Sequence, residues 1–296
     1  MVPGLPFQHQ SVLFEEALGL LAPRPGGRYC DCTLGGGGHA LGLLERSAPD
    51  GRVIGLDRDP AALEAARLRL AAHGERLALV HAPFSEAASR VGALGLGALD
   101  GVLADLGVSS PQLDVPGRGF SFRAEGPLDM RMDPTRGETA RELCERLEEG
   151  ELAAVVRNYG EERFAGRIAR AIKQDLAEGR LHTTTELAAM LGRVIPRPHG
   201  HIDPATRTFQ ALRIAVNDEL EELDAFLTTA PALLNPGGRL VVIAFHSLED
   251  RMVKHAFRAD LRLRALTRRP VQASEAEIER NPRARSAKLR AAERVA

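Results

Sequence analysis

Cys30-Asp31-Cys32-Thr33-Leu34-Gly35-Gly36-Gly37-Gly38 decides the fold, together with Val53-Ile54-Gly55-Leu56-Asp57 about twenty residues later. The first stretch reads as a short strand entering a turn of four glycines, and the helical run Ala40 to Arg46 follows at once. Without Cβ atoms such a turn lets a ligand lie against the main chain, where NH groups at the helix start are bared. The second stretch is a strand that stops on a carboxylate. An acid at the tip of the second strand of an open α/β sheet can accept both ribose hydroxyls of an adenosine. Each signal is weak alone: Gly35-x-Gly37-x-x-Ala40 also satisfies the dinucleotide fingerprint, glycine clusters often serve turns only, and Asp57-Arg58-Asp59-Pro60 opens a helix with proline at its first position. Their order and separation point to a nucleotide-type cofactor, with NAD, FAD and S-adenosylmethionine all admitted.

Outward from this pair, apolar strand-like runs alternate with helical patterns, which marks a mostly parallel sheet covered by helices. The runs are Gly27 to Thr33, Gly51 to Leu56, Leu77 to His81, Leu99 to Leu106 and Arg239 to Phe245. Helices are predicted at Ala40 to Arg46, Ala61 to Ala72 and Ser85 to Leu94. Well over a hundred residues separate the fourth run from the fifth, which no simple crossover needs. From about Pro111 the chain is a loop punctuated by glycine and proline, and it then reads as helices at Thr139 to Leu147, Ala153 to Asn158, Ala165 to Glu178 and Thr185 to Val194. A small helical domain is therefore predicted at 111–204, inserted into a domain made of 1–110 and 205–296, with one long helix from Ala205 to Leu227 leading back. Leu261 to Arg269 and Ala287 to Val295 read as a final antiparallel strand pair. That edge distinguishes the Rossmann-like methyltransferase sheet from the dehydrogenase one and favours S-adenosylmethionine.

Composition excludes several classes. The longest apolar stretch, Leu240 to Phe245, is far short of the roughly 18 to 20 residues of a membrane span, and Met1 to Gln10 has no signal-peptide pattern, so a cytoplasmic protein is expected. The three cysteines suit buried thiols rather than a disulfide framework or a metal site. His199-Gly200-His201 reads as a solvent-facing loop, and no metal is expected. The net charge of -1 hides an asymmetry: residues 251–296 hold 13 Arg or Lys against 5 Asp or Glu, and the rest of the chain is net acidic. A basic segment on an acidic body suggests a phosphate-binding surface, with a solvated charge run as the plain alternative.

Two further strand tips carry candidate chemistry. Asp105, at the end of the fourth run, and His246, in Phe245-His246-Ser247 after the fifth, would face the same crevice as Gly37 and Asp57.

At this point the motifs are long enough to compare. His9-Gln10-Ser11-Val12-Leu13, Gly36-Gly37-Gly38-His39, Asp57-Arg58-Asp59-Pro60, Asp105 to Gln112, Arg118-Gly119-Phe120-Ser121-Phe122, Gly126 to Pro134, Tyr159 to Phe164, Ala205 to Ala211, Phe245 to Arg251 and Asn281 to Ser286 resemble the MraW/RsmH family. The resemblance covers nearly the whole chain. It implies methylation of the N4 amine of a cytidine in the decoding region of bacterial 16S ribosomal RNA, with S-adenosylmethionine as cofactor. It implies 16S rRNA within the small ribosomal subunit as partner, no membrane, and an oligomeric state left open, a homodimer included. It also implies Gly37, Gly38 and His39 on the methionine side of the cofactor, Asp57 at the ribose, Phe84 at the adenine, and Asp105 with Gln112 closing over it.

Cytosine N4 is a poor nucleophile because its lone pair is delocalised into the ring. The site must hold it in line with the donor and accept its hydrogen bond, for which Asp105 is the candidate. Many amine methyltransferases use an Asp/Asn-Pro-Pro-aromatic tetrad there, whereas this chain has Asp105-Leu106-Gly107-Val108. Phe120 and Phe122 are candidates to stack on a displaced base, and Arg207 and Arg213 to hold phosphates. Two readings compete: an NAD(P)-dependent oxidoreductase, and a non-catalytic RNA-binding assembly factor.

Overall fold

The computed structural model describes residues 11–196 and 203–295. The His199-Gly200-His201 loop and the His9-Gln10 part of the first motif lie outside the described residues. The chain divides into two compact units, one comprising the residues up to Gly107 and from Leu220, the other Val108–Glu219.

The first unit begins with α1 (Phe14–Leu21), which the sequence reading passed over. There follow β1 (Arg28–Asp31), α2 (Gly38–Arg46), β2 (Arg52–Asp57), α3 (Pro60–Arg69), β3 (Leu77–His81), α4 (Ala87–Ala93) and β4 (Leu99–Asp105). In the second unit lie α5 (Ser110–Asp114), α6 (Ala140–Arg146), α7 (Glu149–Gly160), α8 (Ala165–Ala177), α9 (Thr184–Val194) and α10 (Ala205–Asn217). The chain returns through α11 (Glu219–Leu233), β5 (Leu234–Ala244), α12 (Ser247–Ala259), β6 (Leu263–Ala265), α13 (Glu275–Arg280) and β7 (Lys288–Arg294).

The strands form one seven-stranded sheet in the order β3-β2-β1-β4-β5-β7-β6. Strands β1 to β5 are parallel, and β7 runs antiparallel between β5 and β6, so the predicted edge hairpin is present. Neighbouring residues on a strand point to opposite faces. Tyr29, Val53, Leu103 and Val241 accordingly join one apolar layer with α1 and α2, while Cys30, Ile54, Val102 and Val242 join the other with Phe226 of α11. Both faces are covered, which is why the central strands read as unbroken apolar runs rather than alternating ones. Strand β5 starts earlier than expected: Leu234 pairs with Leu99, Asn235 to Gly238 loop out, and pairing resumes between Arg239 and Gly101.

The second unit has its own core, in which Leu143, Ile168, Leu187 and Phe209 pack together with Phe120 and Met130 of the loop after β4. The helix expected from Ala205 to Leu227 is two helices. Asp218 adopts the left-handed conformation (φ 50°) and its NH bonds the Ile214 carbonyl, which ends α10. Because Phe209 and Leu212 of α10 belong to the insertion's core, that unit extends to Glu219 instead of ending at 204. The 3.6-residue period continues across the break and concealed it.

Asn217, the last residue of α10, closes this unit. It is buried; its Oδ1 accepts the Met132 NH at 2.7 Å, and its Nδ2 donates to the carbonyls of Met130 at 2.8 Å and Arg213 at 2.9 Å. One amide thus fixes the strained Met130 turn (φ 63°) to a helix end. Asn217→Ala leaves a buried donor and acceptor unsatisfied, and should lower the unfolding free energy by about 2 to 4 kcal/mol in denaturant titration. An unchanged midpoint would refute this role.

Candidate cofactor and active site

Leaving β1, the chain is tied to the neighbouring strand: the Leu34 NH donates to the Leu56 carbonyl at 2.8 Å, and the Gly35 NH to Asp57 Oδ2 at 2.7 Å. Asp57 Oδ1 accepts the Asp59 NH at 2.8 Å, so both oxygens are held by the main chain and keep lone pairs for further donors. Asp59 caps α3 by accepting the Ala61 NH at 3.0 Å. The expectation of freely bared amides therefore needs correction at two positions. The Gly35 NH serves Asp57, and the Gly37 NH bonds the Leu34 carbonyl at 2.8 Å.

The glycines themselves divide by cause. Gly37 sits at φ +74°, where a Cβ would come within 2.9 Å of Leu70 Cδ1, and a Cβ on Gly38 would meet Ser11 Oγ at 2.0 Å. These two let α3 and the N-terminal segment approach the loop. Gly35, at φ +51°, faces open space, and a Cβ there would meet nothing nearer than the Thr33 carbonyl at 4.0 Å.

Three carboxylates converge at the carboxyl ends of β1, β2 and β4, where the strand order reverses and open sheets bind their ligands. Asp105 is anchored by its NH, which donates to Thr33 Oγ1 at 2.6 Å. Its Oδ2 lies 3.7 Å from His39 Nδ1, and its buried Oδ1 has no hydrogen-bond partner among the described residues. His39, itself buried, stacks on Phe14 with ring centroids 5.9 Å apart. Burial pushes the Asp105 carboxyl well above the usual range, and the charges of Asp31 and Glu249 add to it. Asp57 is raised to about 6 by burial, against the pull of the Asp59 and Gly35 NH groups. Asp31 is raised to about 7 by burial, with the Asp57 charge adding to the effect. Sequence reasoning missed Asp31 as a site residue, although an acid closing a strand just before a glycine turn was a usable signal.

This donor set fits S-adenosylmethionine. A crowd of buried carboxylates with an unpartnered oxygen favours a cationic ligand bearing hydroxyl donors, whereas a dinucleotide would bring anionic pyrophosphate into like charge. Phe84, after β3, is half-buried and meets Phe226 edge-on at 5.5 Å.

His246 caps α12. Its Nδ1 accepts the Glu249 NH at 3.4 Å, its Nε2 lies 3.3 Å from Glu249 Oε1, and Glu249 Oε2 accepts the NH groups of Phe245 at 2.8 Å and His246 at 3.2 Å. The main-chain NH groups of Phe245 and His246 thereby hold Glu249, which with Asp31 is one of the charges that act on Asp105. In the second unit Gln112 is buried in a capping box, its Oε1 accepting the Ser109 NH at 2.9 Å.

Three expectations are overturned there. Phe120 is a core residue, and Phe122 packs edge-on against Phe209 at 4.9 Å, so neither is an open platform for a base. Arg213 forms a two-pronged pair with Glu219 at 2.7 and 2.8 Å, which commits its guanidinium within the unit. Arg207 is half exposed, bonding the Glu161 carbonyl at 3.3 Å.

The profile of the MraW methylase family matches residues 6–295. The chain belongs to that family. Similar MraW methylases include the ribosomal RNA small subunit methyltransferase H of Sorangium cellulosum, 57% identical over 289 residues that make up 97% of this chain and 91% of that one. The enzyme of the same name from Pelobacter propionicus is 52% identical, covering 98% of this chain and 99% of its own. That from a Synechococcus strain, JA-2-3B'a(2-13), is 54% identical, covering 99% and 94%. Among the described residues no helix is long and apolar enough to cross a membrane.

The raised carboxylates give this MraW methylase a pH signature. Asp31 holds its proton up to about pH 7 when folded, against an ordinary value of 3.8, so between those values the folded state binds more protons than the unfolded one. Stability should be greatest below about pH 4 as far as this group is concerned, and decline as pH rises through 7, by at most about 4 kcal/mol. Asp31→Asn should flatten the pH dependence of the apoprotein's melting temperature between pH 5 and about 8. An equally steep profile in that variant would count against the assignment.

Proposed function

We propose that this protein transfers the methyl group of S-adenosylmethionine to the N4 amine of a cytidine in the decoding region of 16S ribosomal RNA in the small subunit. The observation that carries the proposal is Asp105 Oδ1, a buried acceptor without a partner at the carboxyl end of β4, within a cluster of negative charge. Family membership and the names of the relatives support RNA as substrate.

The cofactor supplies an electrophilic methyl group on a sulfonium centre. Asp57, with both oxygens oriented by main-chain NH groups, accepts the ribose hydroxyls. Phe84 offers a face to the adenine, and Gly37, Gly38 and His39 form the loop on the methionine side. Asp31 adds a carboxylate that favours the cation. Asp105 accepts the hydrogen bond of the N4 amine and keeps the lone pair in line for attack. Raised proton affinity suits it for taking up the proton released as the amine is methylated. His246 acts as a positioning residue: its NH donates to Glu249 and its Nδ1 accepts the Glu249 NH, which places one of the charges that keep Asp105 basic. Gln112, through the Ser109 NH, shapes the turn after β4. Holding reactants in register can account for roughly 7 to 11 kcal/mol of barrier, so one acceptor suffices for a poor nucleophile. The target base must stand out of its stack, by flipping or because the strand is already open.

Incubation with radiolabelled methyl donor and 30S particles lacking the modification, followed by mapping, should place label on N4 of one decoding-region cytidine. Label on another base, or none, would refute the proposal. Asp105→Ala should fold, bind S-adenosylmethionine, and lose methyl transfer by about 10²- to 10⁴-fold, the span typical of a lost proton acceptor. Full activity in that variant removes Asp105 from the mechanism.

A further inference from the structure

The basic segment between β6 and β7 has a place in the fold that composition alone did not reveal. Ala244, the last residue of β5, pairs with Lys288, the first of β7. Because β7 is antiparallel, the residues just before it lie at the carboxyl rim of the sheet, the rim on which Asp57, Asp105 and His246 stand. These residues are α13 and the single turn Pro282–Ser286. Ala284 and Ala287 anchor the turn in the core, while Arg280, Arg283 and Arg285 are exposed.

Many arginines of this protein have a carboxylate partner, as in Arg24–Asp100, Arg46–Glu15 and Arg290–Asp250. Arg280 and Arg285 have none among the described residues. Of the segment's three glutamates, Glu275, Glu277 and Glu279, the middle one is engaged with a distant part of the chain: Glu277 Oε1 accepts the NH of Leu13 at 2.7 Å, across 264 positions of sequence. Leu13 is buried and left-handed (φ 52°), and two residues before it Ser11 packs on Gly38 of the cofactor loop. Glu277 therefore ties the basic segment to the part of the chain that lies over the glycine loop.

We infer that Glu275–Ser286 is a strap that grips the phosphate backbone of the RNA beside the target base, with Arg280, Arg283 and Arg285 as the phosphate contacts and Glu277 as the anchor that sets their position. Guanidinium forks suit phosphate oxygens, and contacts of this kind fix register without reading sequence. The inference rests on the proposed RNA substrate and names how that substrate is held.

The test compares Arg280→Gln/Arg283→Gln/Arg285→Gln with wild type and with Arg52→Gln, an exposed arginine that opens β2 at the amino rim of the sheet. Methyl transfer to unmodified 30S subunits and competition by protein-free 16S RNA are measured across a salt series, alongside S-adenosylmethionine affinity without RNA. The triple variant should raise KM for 30S at least about tenfold, keep kcat and cofactor affinity within about twofold, and lower the slope of log affinity against log salt by about 2, as three lost phosphate contacts require. Arg52→Gln should match wild type.

Glu277 separates an anchored strap from simple charge. Glu277→Ala makes the segment more positive, so bulk attraction predicts equal or tighter RNA binding, whereas a strap that needs its anchor predicts a KM several-fold higher, restored in Glu277→Gln. An unchanged KM and salt slope in the triple variant overturn the inference, as does a defect seen with 30S but absent with protein-free RNA, which would assign the strap to a ribosomal protein. Wild-type protein that methylates no RNA defeats the functional proposal instead, so the two failures are distinguishable.

Discussion

Like charge held out of water is the constraint on which the site depends. Asp31, Asp57 and Asp105 lie at the ends of three adjacent parallel strands, and burial raises the proton affinity of each. Packing the chain this way works against stability in the empty protein, since an ionised carboxylate in a poorly solvated place is costly unless partnered. The main chain offsets part of that cost with the NH groups of Gly35 and Asp59 on Asp57 and of Thr33 on Asp31. Burial is otherwise met by holding protons to higher pH, and a bound cation would favour the ionised forms of these groups. Strain of this kind is what a binding site retains when its ligand completes the electrostatics.

The same loop explains why glycine is needed there for more than one reason. Gly35 lets its NH turn to Asp57, Gly37 makes room for Leu70 of the segment after α3, and Gly38 makes room for Ser11. A cofactor loop is thus also a packing joint: its backbone orients the ribose acceptor while its bare Cα atoms admit neighbours from the layer beneath. Asn217 performs the corresponding service in the inserted unit, where a single amide fixes a loop that has little regular structure of its own.

Much of this was legible in the sequence because two periodicities dominate it. Central strands buried on both faces leave apolar runs, and the glycine turn and Asp57 mark the strand ends, so the order of elements and the edge hairpin followed. The errors have physical causes. The Asp218 break interrupts a helix at one residue without disturbing the apolar stripe on either side. Phe120 and Phe122 lie in a loop by sequence, yet that loop folds into the insertion's core, and no local signal distinguishes a buried loop aromatic from an exposed one. Asp31 escaped notice because its importance lies in the company of Asp57 and Asp105, which tertiary structure alone brings together.

Charge on this unit is separated by depth as well as by sequence. Carboxylates are wholly or largely withdrawn from solvent at the strand ends, while guanidiniums stand exposed on the strap along the same rim. Reversing that arrangement would fail on both counts: buried arginines would repel a sulfonium, and an acidic rim would repel RNA. The antiparallel β7 makes the arrangement available, because only a strand entering from the carboxyl edge delivers its preceding loop to the side where the parallel strands end. The edge hairpin that separates this sheet from a dehydrogenase's is therefore more than a topological marker. It places a positively charged surface beside a negatively charged cleft, and a polyanionic substrate and a cationic cofactor require that pairing.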